Sequence, residues 1–149
     1  LLQQLERSDD QAISVRDKII EALPNWATAD QALPSLIALL ADDRVADDAI
    51  KALGLFKDAR AVEPLLKMAE RYGFQVHDAL KQIGQPAEPF LLAHLNDSSE
   101  KVQKVIIKAL GDVGTEKSEP PLKKLARSSD FFIRSDAEDA LRKLRQRLG

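Results

Sequence analysis

The chain has 149 residues, 44% of them hydrophobic and 5% aromatic, enough for one core and better suited to packed Ala- and Leu-rich helices than to a β-sandwich. A formal net charge of -2 gives no overall basic field for nucleic acid or an anionic membrane, and no apolar run reaches the length of a membrane span. The absence of cysteine removes disulfides, thiolate nucleophiles and cysteine-based zinc sites, and is compatible with any compartment.

Leu1 to Arg7, LLQQLER, matches Leu65 to Arg71, LLKMAER. It reads as the second helix of a repeat whose first half is missing, as in a piece cut from a longer protein; a short N-terminal capping helix is the alternative. Ser8, Asp9 and Asp10 then break the pattern. Ser14 is placed to cap the next helix, with Asp17 as an acidic first-turn residue. Val15, Ile19, Ala22 and Leu23 recur at helical spacing, Pro24 is expected to stop that helix, and Pro34 to stand near the start of the next, which holds Leu36, Ile37, Leu39 and Leu40.

The pattern then repeats. Val45, Ala49, Ala52 and Leu53 take the places of Val15, Ile19, Ala22 and Leu23. Gly54 replaces Pro24 as a helix stop, and Pro64 opens a helix with Leu65, Leu66, Met68 and Ala69 inside. Arg71, Tyr72 and Gly73 close it. A third unit holds Ala79, Leu80 and Ile83, stops at Gly84 and enters its second helix almost at once. Ile83 to Pro89 is six residues, against eleven from Leu53 to Pro64, and Pro86 and Pro89 stiffen the shortened loop. A fourth unit returns to the long form with Val102, Ile106, Ala109 and Leu110, Gly111 as its stop, Pro120 and Pro121, then Leu122, Leu125 and Ala126. A last helix from Ile133 to about Leu148 carries Ala137, Ala140, Leu141 and Leu144, and its charged end RKLRQRLG suits a cap.

Leu23, Leu53, Ile83, Leu110 and Leu141 mark the copies, at spacings of 30, 30, 27 and 31 residues. A period in this range signals a solenoid built from one supersecondary unit. The units run at about 14–42, 44–73, 74–98 and 100–129, after a half unit at 1–10 and before a terminal helix at 131–148, all in one domain. Trp26, Phe56 and Val113 share one loop position and read as apolar plugs. Thr28, Asp58 and Thr115, two residues later, read as N-caps.

DAIKALGLFKDARAVEPLLKMA and VIIKALGDVGTEKSEPPLKKLA resemble the HEAT-repeat family, and more closely its short bacterial form, the phycobilisome-lyase-type HEAT-like repeat. The short unit ALKQIGQPAEPFLLAHL resembles a variant of it. The resemblance runs from Ser14 to about Leu144. It implies an all-α fold, antiparallel helix pairs stacked into a right-handed α-solenoid of the HEAT and armadillo type. First helices would lie on the convex side and second helices on the concave side. Exposed parts of the second helices would then form a docking groove, with Lys67, Arg71, Tyr72, Lys123, Lys124 and Arg127 as the partner-binding candidates. Each also suits an ordinary solvated face.

No catalytic set, metal site or cofactor is expected. The chain has two histidines, and neither His77-Asp78 nor His94-Leu95 forms the repeated His-Glu pairs of the deoxyhypusine hydroxylase type. His94 aligns with Leu39, Met68 and Leu125 and reads as a partly buried ring with one hydrogen bond. The acidic pairs Asp9-Asp10, Asp42-Asp43, Asp47-Asp48 and Glu138-Asp139 stand mostly at helix starts, where caps belong. No phosphate loop, GxSxG elbow or HExxH helix is present. HEAT-like DNA glycosylases place aromatics on a basic groove, but Trp26 shares its register with loop plugs.

The leading expectation is a non-catalytic scaffold whose groove binds a protein partner or a neighbouring domain of the same chain. The alternative is nucleic-acid binding through the basic stretch after Pro120, where Lys123, Lys124, Arg127, Arg134, Arg142, Lys143, Arg145 and Arg147 gather among Asp130, Asp136, Glu138 and Asp139. With mixed signs there and a net -4 over residues 1–75, nucleic acid is the less favoured partner. A further alternative, an accessory subunit of a bilin lyase, rests on the repeat's name alone.

Overall fold

Helices account for the regular structure of the chain, which this computed structural model describes over residues 10–96 and 98–149, with side chains from residue 18 onward. Among the described residues there are nine α-helices and no strand. They are α1 (Asp10–Trp26), α2 (Ala29–Leu39), α3 (Ala46–Leu55), α4 (Val62–Met68), α5 (Gly73–Ile83), α6 (Glu88–His94), α7 (Glu100–Val113), α8 (Glu119–Leu125) and α9 (Phe131–Leu148). The half unit expected at Leu1 to Arg7 lies outside the described residues.

Helix α7 shows how the sequence makes these elements. Ser99 accepts a bond from the Val102 N–H at 3.4 Å and caps its start. Val102, Val105, Ile106, Ala109, Leu110 and Val113 fall on one buried stripe, while Lys101 and Lys108 face water. The odd-numbered helices form one row, α1 on α3, α3 on α5, α5 on α7 and α7 on α9. Each even-numbered helix packs on the odd one that follows, α2 on α3, α4 on α5, α6 on α7 and α8 on α9. The apolar face of each unit is therefore buried by its neighbour. Leu53, Leu65, Leu80, Leu91, Ile106, Leu110, Leu122 and Leu144 are fully enclosed in one continuous core, and each such side chain contributes about 1.5–3 kcal/mol.

Several punctuation residues act differently from the expectation. Gly54 and Gly111 do not stop their helices; both are buried inside them. A Cβ on Gly54 would stand 2.9 Å from Ala79 Cα of α5, and one on Gly111 2.8 Å from Ala140 Cα of α9. They are glycines because two helix backbones nearly touch there. Gly84 does end its helix, at φ +80° with nothing near its absent side chain. Pro24 lies inside α1, which runs on to Trp26, and Ser14 lies inside the same helix, which starts at Asp10. Pro34 is interior to α2. The cause is Thr28, whose N–H donates to Gln31 Oε1 at 3.1 Å in a capping-box arrangement. That cap lets α2 begin as an α-helix at Ala29, where the later units spend three residues on a 3₁₀ turn. There Pro64, Pro89 and Pro120 fall in the first turn, where a missing N–H is no loss.

The plug position also divides. Val113 is buried at 4% exposure and Phe56 is half-buried, but Trp26 is 71% exposed, because α1 carries it out on a final helical turn. Asp58 and Thr115 cap their 3₁₀ turns as expected, accepting from Arg60 N at 2.9 Å and Lys117 N at 3.3 Å.

Glu88 is buried, 5% exposed. Its carboxylate accepts from the Thr115 N–H at 2.7 Å, the Thr115 hydroxyl at 2.9 Å and the Ser118 hydroxyl at 2.6 Å. It therefore fastens the start of α6 to the loop of the following unit. Burial pushes its pKa upward, but the bonds from Ser118 and Thr115 outweigh burial and hold it below the ordinary 4.5.

Gly54→Val and Gly111→Val are each expected to lose ~1–3 kcal/mol in urea unfolding, since overpacking against a backbone exceeds the few tenths gained in helix propensity. Ala at Gly84 should be disfavoured only by its positive φ. A second prediction concerns acid. The lowered pKa of Glu88 contributes stability that is full above its unfolded value of about 4.5 and is lost as pH falls through its folded value. Glu88→Gln should lower stability at neutral pH by ~1–3 kcal/mol and flatten the fall below pH 4.5, measured as urea midpoints across pH.

Candidate functional site

Of the six partner-binding candidates, Lys67, Lys123 and Lys124 lie on second helices. Arg71 and Arg127 follow them, and Tyr72 stands at the N-terminal boundary of the first helix α5, which Gly73 opens rather than closing the helix before it. Helix α4 starts after the 3₁₀ turn Ala59–Ala61, and its buried Val62, Leu65 and Leu66 turn Glu63, Lys67 and Glu70 outward. Those three side chains, with His94 of α6 and Ser99 and Val102 at the start of α7, line a cleft of about 300 Å³ whose floor is Leu66. Ser99 donates its hydroxyl to Glu70, and Ser98 donates to the His94 carbonyl at 2.6 Å. His94 Nε2 lies 3.6 Å from Glu63 Oε1, beyond a hydrogen bond, and its ring is half-exposed. The single hydrogen bond expected of that ring is therefore not made to Glu63. The cleft's mixed charges over an apolar floor suit side-chain recognition.

The six candidates divide into two groups. Lys67 lines the cleft. Arg71 reaches back to Asp43 in the α2–α3 loop, which raises its pKa, and its guanidinium carbon stands 5.4 Å from the ring centre of Tyr72. Tyr72 is half-buried at the start of α5. Lys123 pairs with Glu119 one turn earlier at 2.9 Å, while Lys124 and Arg127 are exposed at the end of α8 and beyond it. Among the described residues no ion pair joins the first three to the last three.

Most of the C-terminal basic stretch is engaged within the fold. Arg134 donates to the Ser128 carbonyl at 2.8 Å, Arg142 to Asp139 at 2.7 Å and Arg145 to Glu119 at 2.9 Å, while Lys143 Nζ lies 3.5 Å from Asp112. Arg147 donates to the carbonyls of Gly111 and Gly114, at 3.2 and 2.7 Å, closing the end of α7. Sequence reasoning missed this role, because the partners are backbone atoms more than thirty residues away. It also missed the half-buried pair of His77 on α5 and Asp112 on α7, 2.8 Å apart, whose only signal was a polar residue on each of two apolar helices. Among the described side chains the acidic pairs each meet a basic partner, while Asp9-Asp10 lies outside them. Arg44 holds Asp42 at a pKa of about 2, and Asp47 meets Lys51 at 3.3 Å. Among the described residues no group of three His, Cys, Asp or Glu side chains could hold a metal ion, and no helix is long and apolar enough to cross a membrane.

The sequence profile of HEAT repeats matches residues 1–73 and 74–144. No curated protein sequence matches the chain. Among solved structures, one that is similar is the crystal structure of an engineered protein, at 18% identity and a TM-score of 0.46, covering 97% of this chain and 78% of that one.

Joint reversal of Lys123, Lys124 and Arg127 to Glu is expected to leave the fold intact. Among the described residues the Lys123–Glu119 pair is lost, worth ~0.2–1 kcal/mol, and the like charges set one turn apart cost a further ~0.2–0.5 kcal/mol; thermal unfolding followed by circular dichroism checks this.

Proposed function

Because the chain belongs to the HEAT-repeat family, whose members generally mediate protein interaction or scaffolding and are typically non-catalytic, we propose that it is a non-catalytic scaffold module that binds a protein partner, or a neighbouring domain of its own chain, on the concave face formed by the second helices. The observation that carries this reading is the cleft between α4, α6 and α7, an apolar floor ringed by Glu63, Lys67, Glu70 and His94. Lys67 and Arg71 with Tyr72 form one contact group, and Lys123, Lys124 and Arg127 form the other. The repeats are of the phycobilisome-lyase type on the strength of DAIKALGLFKDARAVEPLLKMA. Nucleic acid is a weaker reading, since the net charge is -2 and Asp139, Asp112 and Glu119 stand beside Arg142, Lys143 and Arg145.

Affinity capture from source-cell lysate at low and moderate salt tests the proposal. The expected result is a protein retained at moderate salt by the parent domain and lost with Lys67→Glu and Arg71→Glu, or with the reversal at Lys123, Lys124 and Arg127. Capture of nucleic acid alone, released as salt rises, overturns it.

A further inference from the structure

The opposite side of the stack, formed by the first helices, carries three phenylalanines that the core does not explain. Phe74 is 77% exposed, Phe131 64% and Phe132 63%. Phe74 and Phe132 hold one repeat position, nine residues before Ile83 and Leu141, and Lys101 holds it in the unit between. Large aromatics left in water at one edge of a repeat array mark an interaction surface.

The ground between them is a cavity of about 200 Å³ lined by Gly73, Phe74, His77, Lys104, Val105 and Lys108. Val105 supplies its buried apolar wall, and Gly73 keeps that wall open, since a Cβ there would sit 3.3 Å from Val105 Cγ2. Lys104 Nζ also stands 4.8 Å from the ring centre of Phe132. Phe74, the cavity and Phe132 are thus one continuous surface across α5, α7 and α9. Its polar lining is Lys104, Lys108 and the His77 ring, the last held against Asp112 at 2.8 Å, so the two lysines supply its positive charge. Lys104 pairs with the exposed Glu100, a partner that a ligand carboxylate can replace, and Lys108 lies 3.8 Å from the half-buried Asp136, too far for a hydrogen bond.

We propose that this surface docks an acidic amphipathic segment of a partner protein. Apolar side chains of that segment rest on Phe74 and Phe132, and one carboxylate enters the cavity between Lys104 and Lys108. The concave shape admits a side chain, which a flat lipid surface does not offer.

A random peptide library displayed on phage, selected on the immobilised domain, tests this, with affinities of the synthesised winners read by fluorescence anisotropy. The expected winners combine Asp or Glu with aromatic or aliphatic residues. Their binding should weaken with salt and fall about tenfold for Phe74→Ser and for Lys104→Glu with Lys108→Glu. It should be unchanged by Lys67→Glu, which separates this surface from the second-helix face. Matching circular dichroism melts show that the variants are folded. An empty selection, winners without acidic residues, winners indifferent to Phe74→Ser, or phosphatidylserine vesicles that bind in their place overturns the proposal.

Discussion

The close approach of neighbouring first helices sets the geometry of the rest. At Gly54 on Ala79 and Gly111 on Ala140, one helix lies so near the next that a single methyl has no room. Backbone contact of that kind brings the flanking leucines and isoleucines of both helices into one layer. It also leaves the short second helices to fill the space behind. Their length follows: α4, α6 and α8 have seven residues each, and each leans on the long helix of the following unit. A repeat of this kind cannot bury its apolar face alone.

Much of this was legible in the sequence, because a solenoid writes its core as a periodic pattern. Val45, Ala49, Ala52 and Leu53, or Val102, Ile106, Ala109 and Leu110, fall where the leucine register puts them, and all are buried. Punctuation was less legible. Glycine after the shared leucine has two physical uses, release of the backbone and close approach of a neighbour, and the sequence is the same for both. Gly84 serves the first, Gly54 and Gly111 the second. Proline is equally ambiguous, since Pro34 moves from helix start to helix interior when Thr28 and Gln31 begin the helix three residues early.

The surface was harder still. Lys67 and Lys124 could be assigned to the outer side of second helices from periodicity, yet their neighbours come from other units. The cleft beside Lys67 is completed by His94 and Ser99, about thirty residues downstream, and no local pattern links them. The mixed signs of the basic C-terminal run were legible, but not which partner answers each charge: Glu119, Asp112 and the carbonyl end of α7 do so. The exposed phenylalanines at Phe74 and Phe132 were invisible because aromatic residues at helix starts ordinarily point inward.

The shortened third unit gives the array one joint unlike the others. Because α5 stops at Gly84, it has no glycine-on-alanine crossing with α7. The Glu88 carboxylate adds a polar tie to the loop of the fourth unit, beside the apolar contacts of α5 with α7. In a chain of nearest-neighbour couplings, this link carries a charge-assisted fastening where those at Gly54 and Gly111 carry a close backbone crossing. Protonation of Glu88 therefore weakens the hold of α6 on the fourth unit while the glycine crossings, which bear no titrating group, are untouched.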